Sequence, residues 1–153
     1  MKKYTGYITA TLTIMILLLA TDAFARRGMR GPGSGGWGMG TNYGRMYNPK
    51  TVEIIKGDVV SVDKITPNRG MHYGIHITVK TAKETISVHL GPGWFIENQD
   101  IRVKVNDRVK VKGSRITFQG EPAIIAAEIT KGDAVLKLRD ENGIPVWVGW
   151  RRR

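Results

Sequence analysis

From Thr51 onward, apolar and polar side chains alternate with a period of two, the signature of half-buried β-strands. The first such run is Val52–Ile65, with Gly57 inside it where a bulge or sharp bend is expected. Thr66-Pro67-Asn68-Arg69-Gly70 predicts a turn. Residues 71–80 then alternate with Tyr73, Ile75, Ile77 and Val79 on one face. Thr81-Ala82-Lys83 reverses the chain, and residues 84–90 return with Ile86, Val88 and Leu90 on the apolar side. Gly91-Pro92-Gly93 breaks the alternation, and residues 94–100 read as a connector with room for one helical turn. Residues 101–105 and 108–111 alternate around Asn106-Asp107, Gly113 allows a bend, and residues 116–118 finish that strand. Residues 123–130 are apolar at nearly every position, as expected of a strand covered on both sides. A last hairpin is predicted from residues 134–139 and 144–150 about the turn Asp140-Glu141-Asn142-Gly143.

A long bent strand, a hairpin, a connector and a second hairpin form the order of an all-β, small five-stranded OB-like barrel, here with an added C-terminal β-hairpin. Two segments read like such a barrel locally. Lys56-Gly57-Asp58-Val59-Val60-Ser61-Val62 fits the bent first strand, and Asn106-Asp107-Arg108-Val109-Lys110-Val111-Lys112-Gly113 fits the entry to the fourth. An open sandwich is the competing architecture.

The pattern differs upstream of Thr51. Lys2 and Lys3, the apolar run Ile14-Met15-Ile16-Leu17-Leu18-Leu19-Ala20 and the sequence Ala23-Phe24-Ala25 make the three parts of a secretory signal, residues 1–25. Thr9, Thr11, Thr13 and Thr21-Asp22 leave its apolar core short of the roughly 20 residues of a membrane span. An uncleaved signal anchor is the alternative reading. The expected location is the periplasm or outside the cell, after cleavage. Residues 26–50 are rich in glycine and arginine with no apolar periodicity, and read as a disordered arm ahead of a domain at 51–153. Trp37, Tyr43 and Tyr47 equip that arm to stack on a partner.

Composition narrows the function. The chain has no cysteine, which excludes disulfides, thiolate metal sites, c-type haem attachment, a lipidated N-terminal cysteine and a cysteine nucleophile. The formal net charge is +11, and it is concentrated at the ends. Arg26, Arg27, Arg30, Arg45 and Lys50 occur in a segment without acids, and Arg151, Arg152 and Arg153 close the chain, whereas residues 51–150 are nearly balanced. Basic ends suggest a protein or other acidic partner in the envelope, or an anionic membrane surface.

The predicted export, the β core and the ending Lys137-Leu138-Arg139-Asp140-Glu141-Asn142-Gly143-Ile144-Pro145-Val146-Trp147 are together similar to the MamS/MamX-type domain of magnetosome proteins, over about residues 51–150. The resemblance implies a periplasmic OB-like module associated with metal or redox handling, without established catalytic residues. MamX-type members carry c-type haem motifs, which a chain without cysteine cannot share.

His72, His76 and His89 all fall on the 71–90 hairpin, at positions opposite in parity to the apolar ones, so they are expected to point away from the core. If Lys80 pairs with Thr85, His76 lies directly opposite His89, with Cβ atoms about 4.5–5.5 Å apart. Two imidazoles so placed are candidate ligands for copper, zinc, nickel or iron. Three ordinary surface histidines are the plainer reading. Arg102, Lys104, Arg108, Lys110 and Lys112 form a basic stripe suited to a polyanion, or a charged edge that resists aggregation. Nucleic acid is disfavoured because the outward face of the hairpin lacks aromatic platforms. Trp147 and Trp150 precede the terminal arginines and either plug the barrel or dock at a membrane interface. No nucleophile elbow, phosphate loop or His-Glu-x-x-His motif is present, so no enzymatic activity is expected. The expected function is an exported binding or accessory protein associated with metal or a metalloprotein. The alternative is an adaptor holding an acidic partner through the basic ends and the stripe.

Overall fold

The computed structural model describes residues 34–149. The expected signal 1–25, Arg26, Arg27 and Arg30 of the arm, Trp150 and the terminal arginines lie outside the described residues.

The fold is all-β. Strands β1 (Val52–Ile65), β2 (Gly74–Lys80), β3 (Thr85–Pro92), β4 (Arg108–Phe118), β5 (Glu121–Lys131) and β6 (Ala134–Lys137) share one sheet in the order β3-β2-β1-β4-β5-β6. A parallel pairing of β3 with β5, from Ser87↔Ala123 to His89↔Ile125, joins the sheet back on itself. The closed circuit β1-β2-β3-β5-β4 is the OB-like ring expected from the alternation. The other neighbouring pairs are antiparallel.

β1 is long because it serves two partners. Its first half pairs with β4 and its second half with β2. Gly57 lies just before the changeover, where a Cβ would collide with the Lys80 carbonyl oxygen. Close approach, rather than a bulge, is therefore what Gly57 serves; the bulge itself falls between Val59 and Ser61. Ile77, Val88 and Ile124 follow one another across β2, β3 and β5 and are fully buried. With Val79, Ile86, Leu90, Val111 and Ile129 they fill the interior of the ring.

Three expectations need correction. Residues 101–105 form no strand; the chain there is held by hydrogen bonds from Asn106 N to Val59 O (2.8 Å) and from Val59 N to Asp107 O (2.9 Å). The second arm of the last hairpin is also absent. After β6 the chain makes a single bridge, Arg139↔Pro145, and a 3-10 turn over Val146–Gly149, because Trp147 turns inward to pack. Finally, residues 34–50 are not a free arm. They run as turns and short 3-10 segments (Gly44–Met46 and Pro49–Thr51) against the ring, with Trp37 and Tyr43 each only 2% exposed. Glycine's entropic cost is offset here by burying two large aromatic rings. A single helical turn, α1 (Gly93–Ile96), follows β3 where the connector was expected.

Candidate functional site

The 34–51 segment acts as a strap over one part of the ring's outer surface. Its far end is tied to β4: Asn48 N donates to Ser114 Oγ (2.9 Å), and Thr51 Oγ1 lies 2.9 Å from the same hydroxyl. Its near end is tied to the approach to β2, where His72 N donates to Gly35 O (2.8 Å) and Trp37 Nε1 donates to His72 O (2.9 Å). Gly74 has no side chain because the Trp37 ring lies against it.

Beneath the strap lie two of the three histidines. Lys80 pairs with Thr85 and His76 with His89, the register expected from the sequence. They point away from the interior, as parity requires, yet they do not face solvent: His76 is 3% exposed and His89 1%. The expectation of an open histidine face is thus overturned, because the strap covers it. The imidazoles stack at 3.7 Å between centroids and 8° between planes. Tyr43 Oη lies 2.8 Å from His89 Nδ1 and donates to it in the tautomer protonated at Nε2. Tyr43 also stacks parallel to His89 at 5.9 Å, and Phe118 meets His89 edge-on at 4.9 Å. His76 Nε2 is buried with no hydrogen-bond partner among the described residues.

Burial sets the protonation of this cluster. It pushes His76 down to about 4, against a pull upward from Asp63. It pushes His89 down to about 3, helped by the proximity of His76 and Arg139. Burial likewise raises Tyr43, so the phenol keeps its proton.

Stacked imidazoles are poor chelators, since their lone pairs lie in parallel ring planes and do not converge on one ion. His89 Nδ1 is moreover engaged by Tyr43. His72 stands apart as an exposed residue whose ring lies over Gly35. Among the described residues no three His, Cys, Asp or Glu side chains gather as a metal-holding group. Thioether-linked haem has no cysteine to hold it.

Arg139 and Trp147 pack beside the near part of the strap. Trp147 is buried, donates from Nε1 to Trp37 O (3.1 Å) and packs on Phe95 at 5.4 Å, so its core role is the one realised. The Arg139 guanidinium lies 4.8 Å over the Trp147 ring and donates to the carbonyls of Leu90 and Ala126. It is buried without a carboxylate partner among the described residues, and burial lowers it to about 10. It borders a pocket of about 10 Å³ with Tyr43 and Tyr47, room for a single water. The sequence hinted at Trp37, Tyr43 and Tyr47 only as large aromatics in a glycine-rich run. The partner those aromatics stack on is the chain itself.

The basic residues separate into two groups. Arg102 and Lys104 sit on the loop before β4, where the Arg102 carbonyl accepts from Lys131 Nζ (2.9 Å) and Lys104 N donates to Asp107 Oδ2 (2.7 Å). Arg108, Lys110 and Lys112 project outward from β4 as expected, and the sheet adds two lysines that the stripe did not include. Lys56 of β1 pairs directly with Lys110, and that row continues to Thr130 and Val135. The next row runs Ile54, Lys112, Glu128 and Lys137. Among the described residues none of Lys56, Lys110, Lys112 and Lys137 has a carboxylate within ion-pair distance; Arg108 reaches Asp58 at 4.0 Å.

No curated protein matches the chain. A family model, that of the MamS/MamX magnetosome proteins, matches residues 51–136. The match opens one residue before β1 and closes inside β6, so it takes in the whole ring and leaves the strap outside. More than half of the chain lies within it, although it stops at residue 136, short of the ending about Arg139 on which the resemblance over residues 51–150 also rests: the chain belongs to the MamS/MamX magnetosome protein family.

Proposed function

We propose that this protein is an exported, non-catalytic accessory protein of the magnetosome system that docks onto an acidic partner through the outward face of β1, β4, β5 and β6. One observation carries the reading. Lys56 and Lys110 are held directly opposite each other, with Lys112 and Lys137 on either side of Glu128 in the adjacent row and, among the described residues, no carboxylate within ion-pair distance of any of the four lysines. Like charges directly opposed across a strand pair destabilise it, and an external anion removes that cost. Family membership supports the accessory role, and the tripartite signal at residues 1–25 supports export. The stacked, strap-covered histidines serve as packing in this reading, and the terminal arginines add attraction at longer range.

Retention on immobilised polyglutamate tests it. The purified protein is expected to bind at low salt and to elute as ionic strength rises. The double variant Lys110→Glu/Lys112→Glu is expected to elute at markedly lower salt with an unchanged melting curve. Equal retention of parent and variant would remove this face from the function.

A further inference from the structure

Resting on that reading of the face, we infer that its partner is the anionic leaflet of a lipid bilayer, with the four lysines on headgroup phosphates and Ile54 and Val135 at opposite corners of the patch.

The rival explanation for outward lysines on a sheet is protection of an open edge against pairing with other chains. β4 has no open edge, since β1 flanks it on one side and β5 on the other. Lys56, in the half of β1 that pairs with β4 alone, and Lys137, on the last strand β6, each have one strand neighbour, but Lys110 and Lys112 guard no edge. Their placement calls for a ligand instead.

The chemistry of the patch distinguishes among anionic ligands. Glu128 is the one acid of the two rows, and every cation in them is a lysine, a point charge without the planar fork that arginine offers for bidentate recognition. Such charges suit a diffuse layer of phosphates better than a defined carboxylate. The two rows also carry aliphatic side chains at opposite corners: Ile54 on β1 is 59% exposed and Val135 on β6 is 50% exposed. A soluble polyanion gives these side chains nothing to bury against. A bilayer does, because lysine stems lie along apolar surface while their ammonium groups reach the headgroup level. Finally, the rows span four adjacent strands, about 14 Å at the usual spacing. A broad sheet surface fits a membrane plane, and no aromatic side chain stands in either row to stack a base.

Sedimentation with lipid vesicles tests the inference. The purified protein is expected to pellet with vesicles containing phosphatidylglycerol and to stay in solution with pure phosphatidylcholine vesicles. Lys110→Glu/Lys112→Glu should weaken vesicle binding roughly thirtyfold or more, the loss of two lysines at the membrane surface. Ile54→Ser/Val135→Ser should weaken vesicle binding severalfold yet leave retention on polyglutamate unchanged. Retention on polyglutamate without binding to either vesicle overturns the bilayer as partner and leaves the acidic-partner reading standing. Absence of both overturns the two together. Vesicle binding that survives the lysine reversal places the membrane contact elsewhere, and equal loss in both assays for the Ile54/Val135 variant makes their role structural. Either result overturns the inference.

Discussion

A tyrosine hydroxyl aimed at a buried imidazole nitrogen is worth most through what its loss leaves behind. Tyr43 satisfies His89 Nδ1 at 2.8 Å where both side chains are buried. Tyr43→Phe keeps the ring, its edge contact with Trp37 at 4.9 Å and its stacking on His89. It strands the nitrogen, however, at a cost of about 1–3 kcal/mol. A lower urea midpoint with unchanged slope is the expected result, and equal midpoints would show that the hydroxyl contributes packing alone. His76 Nε2, already without a partner among the described residues, marks the other side of the stack as a place where stability is given up. Arg139 is the converse case. Its charge is buried without a counterion among the described residues, yet it is held by two carbonyls and the face of Trp147. The guanidinium thereby fastens β3 at Leu90 and the middle of β5 at Ala126 to the C-terminal turn.

At the scale of elements, the strap decides whether the ring has a finished exterior. Trp37→Ala is expected to cost about 3–5 kcal/mol, the range for a fully buried large aromatic. A chain begun at Thr51, the start of the family match, is expected to melt at lower temperature and to be restabilised by a synthetic peptide of residues 34–50. Failure of the peptide to raise the melting temperature would show that the strap contributes only when covalently attached. The strands themselves were legible because alternation at period two reports a face directly: β1 coincides with the predicted run, and His76↔His89 follows from counting across a short loop. The strap was not legible, because aromatic residues separated by glycines carry no period and their partners are far away in sequence. The burial of the histidines was hidden for the same reason. Parity tells which way a side chain points, but not what lies over it. Likewise Lys56 and Lys137 joined the basic face only through β1–β4 and β5–β6 registers, which no local pattern encodes.

For the whole molecule, the outer surface of the ring is divided along β4. Its first half presents Arg108, Lys110 and Lys112 to solvent, and its second half offers Ser114 to the strap and Phe118 to the histidine cluster. Global stability should therefore depend on the acid response of the covered half. His76 and His89 have folded values depressed to about 4 and about 3, below the usual unfolded value near 6.5. The unfolded chain takes up their protons first, so their contribution is fully present above about pH 6.5 and is lost as pH falls toward 4 and then 3. Urea midpoints measured across that window should fall steadily in the parent. In a His76→Phe variant, the fall should be shallower, and an identical pH profile would show that the pair does not govern acid stability. The bond from Trp147 Nε1 to the Trp37 carbonyl, 110 positions apart in the chain, sets an order of events. Trp37 is made early, but its seat needs β2, and its last bond needs a residue made 110 positions later. The ring can assemble from neighbouring strands while the first packed tryptophan waits. Full locking of the strap thus waits for residue 147, and a polypeptide halted before it lacks this bond.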